Sequence, residues 1–387
     1  MDEERLAAHL RDRPISLKKA KEKGVKIIGY FPGGYVPEEI IYASGAIPVC
    51  LVDGGDPRPA DAALSVVPYI ICPFARAQIG ERLLKVNPYY NMIDMLIAPI
   101  TCQHLRKVAE VLEYYGEVEV FKLGVPHNFD GDFELKYYED RLRALKVKLE
   151  TFTGNQITDS KVHEAIELYN RMREFLKKIS LMRRSPSTPL SGLDFVKLNH
   201  ASFYADPVFM VNLLGSLQKE LEKGRQIDRA DKVRLMLVGP NLAHGDYKIL
   251  ELVEAAGSEI VIEELSEGVR YYWQQIQNNG DPFQSLAKGY LRDRLPCAFM
   301  RRSAKRRLDF TLDLIDDFNA SGIIWYELLC CETYDQESYF FAEKMKERNI
   351  PMLIVASNYD VFEAGAGPLK TRIDAFIELV KGGPVND

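Results

Sequence analysis

The amino-acid sequence predicts an α/β protein with two doubly wound parallel sheets. Short apolar runs rich in β-branched residues alternate with segments of helical periodicity, first over about residues 19–153 and again from residue 231. Strands that alternate with helices favour parallel sheets, because each crossover helix covers one face of the sheet. Residues between the two regions have mainly helical periodicity. We therefore expect a domain at 1–153, a helical insert or linker at 154–230, and a domain at 231–387.

The first region contains four strand-like runs. The chain turns at Pro32-Gly33-Gly34 after the first of them, and a short helix follows, with Pro37 at a favourable first position and Gly45 as its stop. Helical patterns also follow Cys72 and Cys102. The predicted strands are VKIIGYF (25–31), AIPVCLV (46–52), MIDMLIAPI (92–100) and VEVFKLGVP (118–126).

The rest of the chain continues the pattern. Residues 133–154 and 160–184 read as long helices, and 185–194 as a loop rich in proline and serine. Strands are then predicted at 232–240, 258–265, 320–331 and 350–358, and helices at 248–257, 337–349 and 371–383. The two α/β regions are therefore expected to be Rossmann-like domains of similar build.

Composition restricts the classes of function. The 387 residues are 47% hydrophobic and 27% charged with a net charge of -6, and no long basic run suggests a nucleic-acid partner. The N-terminal residues are polar and acidic, without the apolar core of a secretion signal. No stretch of about 18 apolar residues suggests a membrane span. These features predict a cytoplasmic protein with neither a membrane nor a nucleic-acid partner.

Six cysteines are the main candidates for chemistry: Cys50, Cys72, Cys102, Cys297, Cys330 and Cys331. A long chain in a reducing compartment does not need disulfides. Cys72, Cys102 and Cys330 each follow an apolar strand-like run, and ligands of open α/β sheets bind beyond the carboxyl ends of strands. We therefore expect these thiols to meet in an interdomain cleft.

The residues alone leave other interpretations open. Free cysteine often behaves as a small buried hydrophobe, and for Cys50 this is as good an interpretation as a ligand. The interpretation as buried hydrophobes is weaker for the adjacent pair Cys330-Cys331. Successive residues of a strand face opposite sides of the sheet, so both thiols cannot lie in the core on one face unless the strand has ended. The paired spacings of zinc sites and the spacings of ferredoxins are absent, so any metal site must be assembled by tertiary structure.

Several tracts resemble the 2-hydroxyacyl-CoA dehydratase and benzoyl-CoA reductase component-D family. They are GYFPGGYVPEEIIYASGAIPVCL (29–51), SGLDFVKL (191–198), ELSEGVRYYW (264–273) and GAGPLKTRIDAFIE (365–378). The resemblance implies that Cys72, Cys102 and Cys330 hold one [4Fe–4S] cluster. The chain departs from the dehydratases in having Cys50, Cys297 and Cys331 as well. Six cysteines resemble the double-cubane branch, whose [8Fe–9S] cluster joins two cubanes through a sulfide.

The resemblance also implies partners and a reaction. A separate ATP-dependent iron–sulfur reductase would supply low-potential electrons to an oxygen-sensitive homodimer that reduces small, acetylene-like molecules. This chain lacks the G-x-x-x-x-G-K-[ST] run of a phosphate-binding loop, so ATP hydrolysis is assigned to the partner. The alternatives are a [4Fe–4S] subunit acting on acyl-CoA, a noncatalytic electron carrier, and a metal-free α/β enzyme.

Candidate proton donors lie near the cysteines. His104, Glu332 and Glu327 are the main candidates, with Tyr334 as a fourth. The competing interpretations are a capping or surface histidine and solvated acids. Arg76, the pair His127 and Asn128, and the basic run at 301–307 are weaker candidates, for which ordinary surface roles explain the pattern equally well.

Overall fold

A computed structural model describes residues 2–224, 229, 231–359 and 361–382, without the side chains of 361–366. The expected domain boundary at residue 230 and the residues 383–387 lie outside the described part. The α/β class with two parallel sheets is confirmed. No helix in the described part has the length and apolar character needed to cross a bilayer.

The first sheet has four parallel strands in the order β2-β1-β3-β4. Its strands are β1 (Ile27–Tyr30), β2 (Ile47–Cys50), β3 (Met95–Ile100) and β4 (Glu119–Gly124). The helices of this region are α1 (Asp2–Glu22), α2 (Glu38–Ala43), α3 (Pro57–Ala62), α4 (Pro73–Leu84), α5 (Pro88–Met92) and α6 (Gln103–Tyr114). The sequence did not predict α1, because its buried face is sparse and Pro14 lies inside it.

Four helices follow before the second sheet. They are α7 (Asp132–Thr153), α8 (Asp159–Met182), α9 (Gly192–Ala201) and α10 (Pro207–Lys223). The predicted loop at 185–194 ends earlier than expected, because the Ser191 side chain accepts a hydrogen bond from the Asp194 N–H and so caps α9. Helix α8 packs against α2 and α10, which attaches the helical segment to the first sheet region.

The second sheet repeats the arrangement of the first, with the order β6-β5-β7-β8. Its strands are β5 (Val233–Val238), β6 (Ser258–Glu264), β7 (Gly322–Leu328) and β8 (Met352–Ser357). The helices are α11 (Lys248–Ala255), α12 (Val269–Tyr272), α13 (Pro282–Ala287), α14 (Ser303–Phe318), α15 (Glu332–Lys346) and α16 (Val361–Gly382). In each sheet the strand order reverses between the first and third strands in the chain, which creates a crevice beyond their carboxyl ends.

A buried ionic group ties the helical segment to the first sheet region. The Arg173 guanidinium on α8 donates to Glu39 Oε1 at 2.6 Å and to Glu38 Oε1 at 3.2 Å, both on α2. It also donates to the Tyr290 hydroxyl at 3.0 Å. Arg173 and Glu39 are fully buried, and burial raises the pKa of Glu38. Removing the cation would leave two acids in a low-dielectric interior without a counter-charge.

We expect Arg173→Met to lower the free energy of unfolding by about 3–5 kcal/mol, because it leaves Glu38 and Glu39 unpaired. Urea unfolding followed by circular dichroism would measure the change. Arg171→Met, on the exposed face of the same helix, is the control and should have little effect. Equal stability of the two variants would show that Arg173 is not needed to balance the acids.

Candidate metal centre

Two cysteines occupy equivalent places in the two sheets. Cys102 follows β3 and is the N-cap of α6, while Cys331 follows β7 and is the N-cap of α15. Strands β3 and β7 are each the third strand of their sheet, beside the crevice where the strand order reverses. The crevices of the two sheets therefore each present a cysteine at the start of a helix.

The two helix N-termini meet. The Gln103 side-chain amide, at the first residue of α6, donates to Glu332 Oε2, at the first residue of α15, at 2.8 Å. The Cys102 sulfur itself accepts the Leu105 N–H at 3.5 Å. Since the residues directly after Cys102 and Cys331 touch, these two cysteines lie close to each other where the two sheet regions meet.

Cys72 joins the same site through a third helix. It is the N-cap of α4, with Pro73 at the first helical position. Its backbone N–H donates to Nδ1 of His104, in the first turn of α6, at 3.2 Å. Three helices thus begin at cysteines in one region. A helix N-terminus carries partial positive charge and unpaired N–H groups, which favour thiolates and anionic ligands.

The pKa shifts of the thiols show the same grouping of Cys72, Cys102 and Cys331. Burial raises the pKa of Cys72, and the thiols of Cys331 and Cys102 raise it further. Burial, followed by the Cys102 thiol, raises the pKa of Cys331 to about 12. Backbone N–H groups of the first helical turns act in the opposite direction on all three. Without a cation these thiols stay protonated, so binding a metal would release their protons.

Cys297 adjoins this trio, and Cys330 precedes Cys331 in the chain. The Cys297 sulfur lies 3.7 Å from the Tyr334 hydroxyl, and its backbone N–H donates to the Tyr35 hydroxyl at 3.1 Å. The Cys297 thiol also contributes to the raised pKa of Cys102 and of Cys331. Cys330 has a left-handed φ of 64°, which turns the chain between β7 and α15. We call Cys72, Cys102, Cys297, Cys330 and Cys331 the five-cysteine site.

Cys50 is set apart from this site. It is the last residue of β2 and is fully buried. Burial and then Glu38 raise the pKa of its thiol, and its other main influences are Tyr30, Glu267 and Asp53. No cysteine is among them. The structure thus brings Cys72, Cys102, Cys297 and Cys331 together, with Cys330 next to Cys331 in the chain. The roles of all six cysteines as ligands stay predictions.

The donor set suits a cluster better than a single ion. Within the described ranges, no three or more His, Cys, Asp or Glu side chains are grouped closely enough to hold one metal ion. In an iron–sulfur cluster each thiolate binds a different iron, so its ligands stand farther apart than those of one zinc ion. Cysteines at three converging helix N-termini fit an anionic cluster, and Cys72, Cys102 and Cys331 are placed to hold it. The resemblance implied Cys330 in place of Cys331, and the choice between these two neighbours stays a prediction.

The predicted proton donors differ in their surroundings. His104 is buried, its Nδ1 accepts the Cys72 N–H, and burial lowers its pKa. Glu332 is exposed and accepts from Gln103. Burial, with Asp335 nearby, raises the pKa of Glu327 near the end of β7. Tyr334 is buried against Cys297. His104 and Tyr334 are thus held beside cysteines, whereas Glu332 lies at the surface.

The weaker candidates have structural partners. Arg76 is buried, donates to the Ile71 carbonyl at 3.0 Å and stacks on Tyr69. The His127 carbonyl accepts from the Arg301 N–H at 2.7 Å, and Asn128 donates to Glu134. Of the basic run 301–307, Arg307 is fully buried. It is not part of a solvated face, since it pairs with Glu264 and Glu337.

Sequence reasoning missed the polar groups behind Cys297. The guanidinium groups of Arg270 and Arg307 lie 5.7 Å and 4.7 Å from the centre of the Tyr334 ring, and Glu264 pairs with both arginines. Glu264 and Arg270 belong to ELSEGVRYYW, one of the tracts that resemble the component-D family. The sequence did contain a signal for this group, because charged residues stand at the end of an apolar strand. Charged residues are rarely buried without a partner, so a buried ion pair could have been predicted there.

The fold defines a class of α/β proteins with two four-stranded parallel sheets, in which cysteines stand at the starts of three helices. The family model described as 2-hydroxyglutaryl-CoA dehydratase, D-component, matches residues 34–380. The chain therefore belongs to the 2-hydroxyglutaryl-CoA dehydratase D-component family, as the resemblance predicted.

Curated relatives span nearly the whole chain. The chain is 24% identical to the putative dehydratase subunit YjiM of Escherichia coli K12, over 95% of this chain and 94% of the relative. It is 23% identical to a benzoyl-CoA reductase subunit of Thauera aromatica, over 94% and 93%. It is 22% identical to the beta subunit of (R)-2-hydroxyglutaryl-CoA dehydratase of Acidaminococcus fermentans, over 94% of each. These homologues are enzyme subunits, which supports an enzymatic role for this chain.

We expect Cys102→Ala and Cys331→Ala each to lose most of the bound iron after anaerobic purification, because each removes a thiolate from the cleft. Iron and sulfide assays with the visible absorption spectrum would measure the loss. Leu329→Ala, at an exposed position in the same turn, is the matched control and should keep its iron. Normal iron in both cysteine variants would show that the cleft is not the metal centre.

Proposed function

We propose that this chain is the cluster-bearing component of a low-potential reductase and holds an [8Fe–9S] double-cubane cluster through the five-cysteine site together with Cys50. The observation that carries the proposal is the meeting of three cysteine-capped helix N-termini with two further cysteines beside them. One cubane with an open iron needs three thiolates, so Cys297 and Cys330 exceed its requirement. The surplus favours the larger cluster.

The protein's own groups suit such a centre. When bound, a cluster of this type accepts single electrons at low potential and passes them to a small substrate. The helix N-termini stabilise its negative charge, and burial excludes water from it. Tyr334 is placed to donate a hydrogen bond to the Cys297 sulfur. Glu327, whose pKa is raised, holds its proton to higher pH than an exposed acid and is the proposed proton donor, with His104 and Glu332 as further candidates.

Electrons would come from a separate ATP-hydrolysing iron–sulfur reductase. The chain lacks the G-x-x-x-x-G-K-[ST] run of one common ATP-binding loop, and we assign ATP hydrolysis to the partner. The cleft edge at Gln103 and Glu332 is exposed, which leaves a short route from the surface to the cysteines. We also propose a cytoplasmic homodimer, in keeping with reduced thiols.

A second candidate is a [4Fe–4S] subunit that acts on an acyl-CoA. The surroundings of Cys50 favour it, because burial and then Glu38, rather than another thiol, have the largest influence on the pKa of Cys50. Cys72, Cys102 and Cys331 form a complete set for one cubane. Relatives named as a benzoyl-CoA reductase subunit and a 2-hydroxyglutaryl-CoA dehydratase subunit point the same way.

Iron content separates the two candidates. We expect about eight irons per wild-type chain after anaerobic purification, as two cubanes require. We also expect fewer in Cys50→Ala, because the sixth thiolate is lost. About four irons in the wild type, unchanged in Cys50→Ala, would contradict the double cubane and support the single-cluster subunit.

Turnover with the ATP-dependent reductase tests the activity. We expect ATP-dependent reduction of acetylene by the iron-loaded wild type and none by Cys331→Ala, since that variant lacks the centre. The same assay with a panel of 2-hydroxyacyl-CoA and aromatic acyl-CoA substrates in place of acetylene provides the comparison. Turnover of an acyl-CoA alone would contradict the proposed reaction, and a reducible cluster without any turnover would indicate an electron carrier.

A further inference from the structure

A large cavity lies away from the five-cysteine site. It has a volume of about 1080 Å³ and opens between α1, α9 and α10. Its closed end lies where the loops after β2 and β5 meet. Glu81, which lines it, is nine residues beyond Cys72 on α4, a rise of about 13 Å along the helix. The cavity is therefore distinct from the metal centre.

The walls of the cavity are apolar. Leucines from three helices line it, namely Leu6, Leu10, Leu198, Leu213, Leu217 and Leu221. Leu198 and Leu213 are buried, whereas Leu6, Leu10, Leu217 and Leu221 are only partly covered. A slot of this size bounded by leucine side chains suits an alkyl chain, since burying each methylene contributes roughly 0.8 kcal/mol.

The closed end of the cavity is polar and fixed in place. Asp53 Oδ1 lies 2.7 Å from His244 Nδ1, and Asp53 Oδ2 accepts from the Asn87 side chain at 2.9 Å. The backbones of Asp53 and His244 also form an isolated parallel bridge between the two halves of the chain. Glu81 is buried beside them. Two carboxyl groups therefore face the end of the slot from rigid positions.

The charge of the lining is strongly negative. Besides Asp53 and Glu81, four acids line the cavity, namely Asp2, Glu3, Asp194 and Glu220. Lys197 and His244 are the basic side chains of the lining, and His244 already contacts Asp53. Outside the lining, Arg5 pairs with Asp2 at 2.7 Å, and Arg58 opposes the burial that raises the pKa of Glu81. A bound carboxylate or phosphate would still meet more acids than basic groups. A cation would be attracted both at the mouth and at the closed end.

Glu81 supplies independent support. Burial, followed by the nearby Asp53, raises the pKa of this carboxyl to about 7. The pKa of a carboxyl group rises in this way when the group is removed from water and no cation fully balances its charge. A cationic group seated beside Glu81 would stabilise its ionised form and form a charge-assisted hydrogen bond with it.

We propose that this cavity binds an amphipathic primary amine, with the alkyl chain along the leucines and the ammonium group between Glu81 and Asp53. The site needs no cluster and is independent of the proposed redox function. Its chemistry would let the chain bind a hydrophobic amine at a position that bridges the two sheet regions.

The test is calorimetric titration of the anaerobically purified full chain with decylamine, decanoate and 1-decanol below their aggregation concentrations. We expect decylamine to bind at one site per chain, and Glu81→Gln to weaken it about tenfold or more, as loss of a charged hydrogen bond predicts. Glu222→Gln, an exposed acid on α10 outside the cavity, is the control and should bind normally.

A second variant tests the apolar wall. Leu217→Trp should fill the slot and abolish decylamine binding while iron content and thermal unfolding stay close to the wild type. Equal or tighter binding of decanoate or decanol, or no effect of Glu81→Gln, would overturn the proposal. A change from dimer to monomer in Leu217→Trp, measured by sedimentation, would also overturn it, because the groove would then be an interface between copies.

Discussion

The convergence of three helix N-termini on one cleft is the constraint on which the site depends. Parallel strands place the starts of their following helices at one edge of a sheet, and two sheets with the same strand order bring two such edges together. Cys102 and Cys331 stand at the two reversal points, and Cys72 caps a third helix beside them. The electrostatic potential at these helix N-termini is positive. It stabilises thiolates and an anionic centre beside the backbone N–H groups that point there.

A buried polar framework holds this cleft in place. Arg270 and Arg307 share Glu264 and flank the ring of Tyr334, whose hydroxyl reaches the Cys297 sulfur. Unpaired, such charges would cost several kcal/mol each. Paired with Glu264, the two arginines hold the side chains around Tyr334 in one arrangement, as a metal centre would require of the residues around its ligands. The two sheets and the buried ion pairs therefore both hold the side chains around the cysteines in place.

The sequence predicted the framework of the fold well, because each strand is a short apolar run bounded by turn residues and each crossover is strongly periodic. Strands β1 to β8 and the long helices α7 and α8 agree with it. Helix α1 was missed, since a polar helix with an internal proline carries little periodic signal. The strand ends before Cys102 and Cys330-Cys331 correctly indicated that helices begin at these cysteines. The separation of Cys50 and the arginines around Tyr334 depend on packing between distant segments, which spacing along the chain does not encode.

Iron anomalous diffraction from crystals grown without oxygen tests the central claim most directly. The account predicts iron peaks in the cleft between the sheets, within bonding distance of the sulfurs of Cys72, Cys102 and Cys331. Iron-loaded crystals in which these three sulfurs have no iron neighbour, with the peaks elsewhere in the chain, would contradict it.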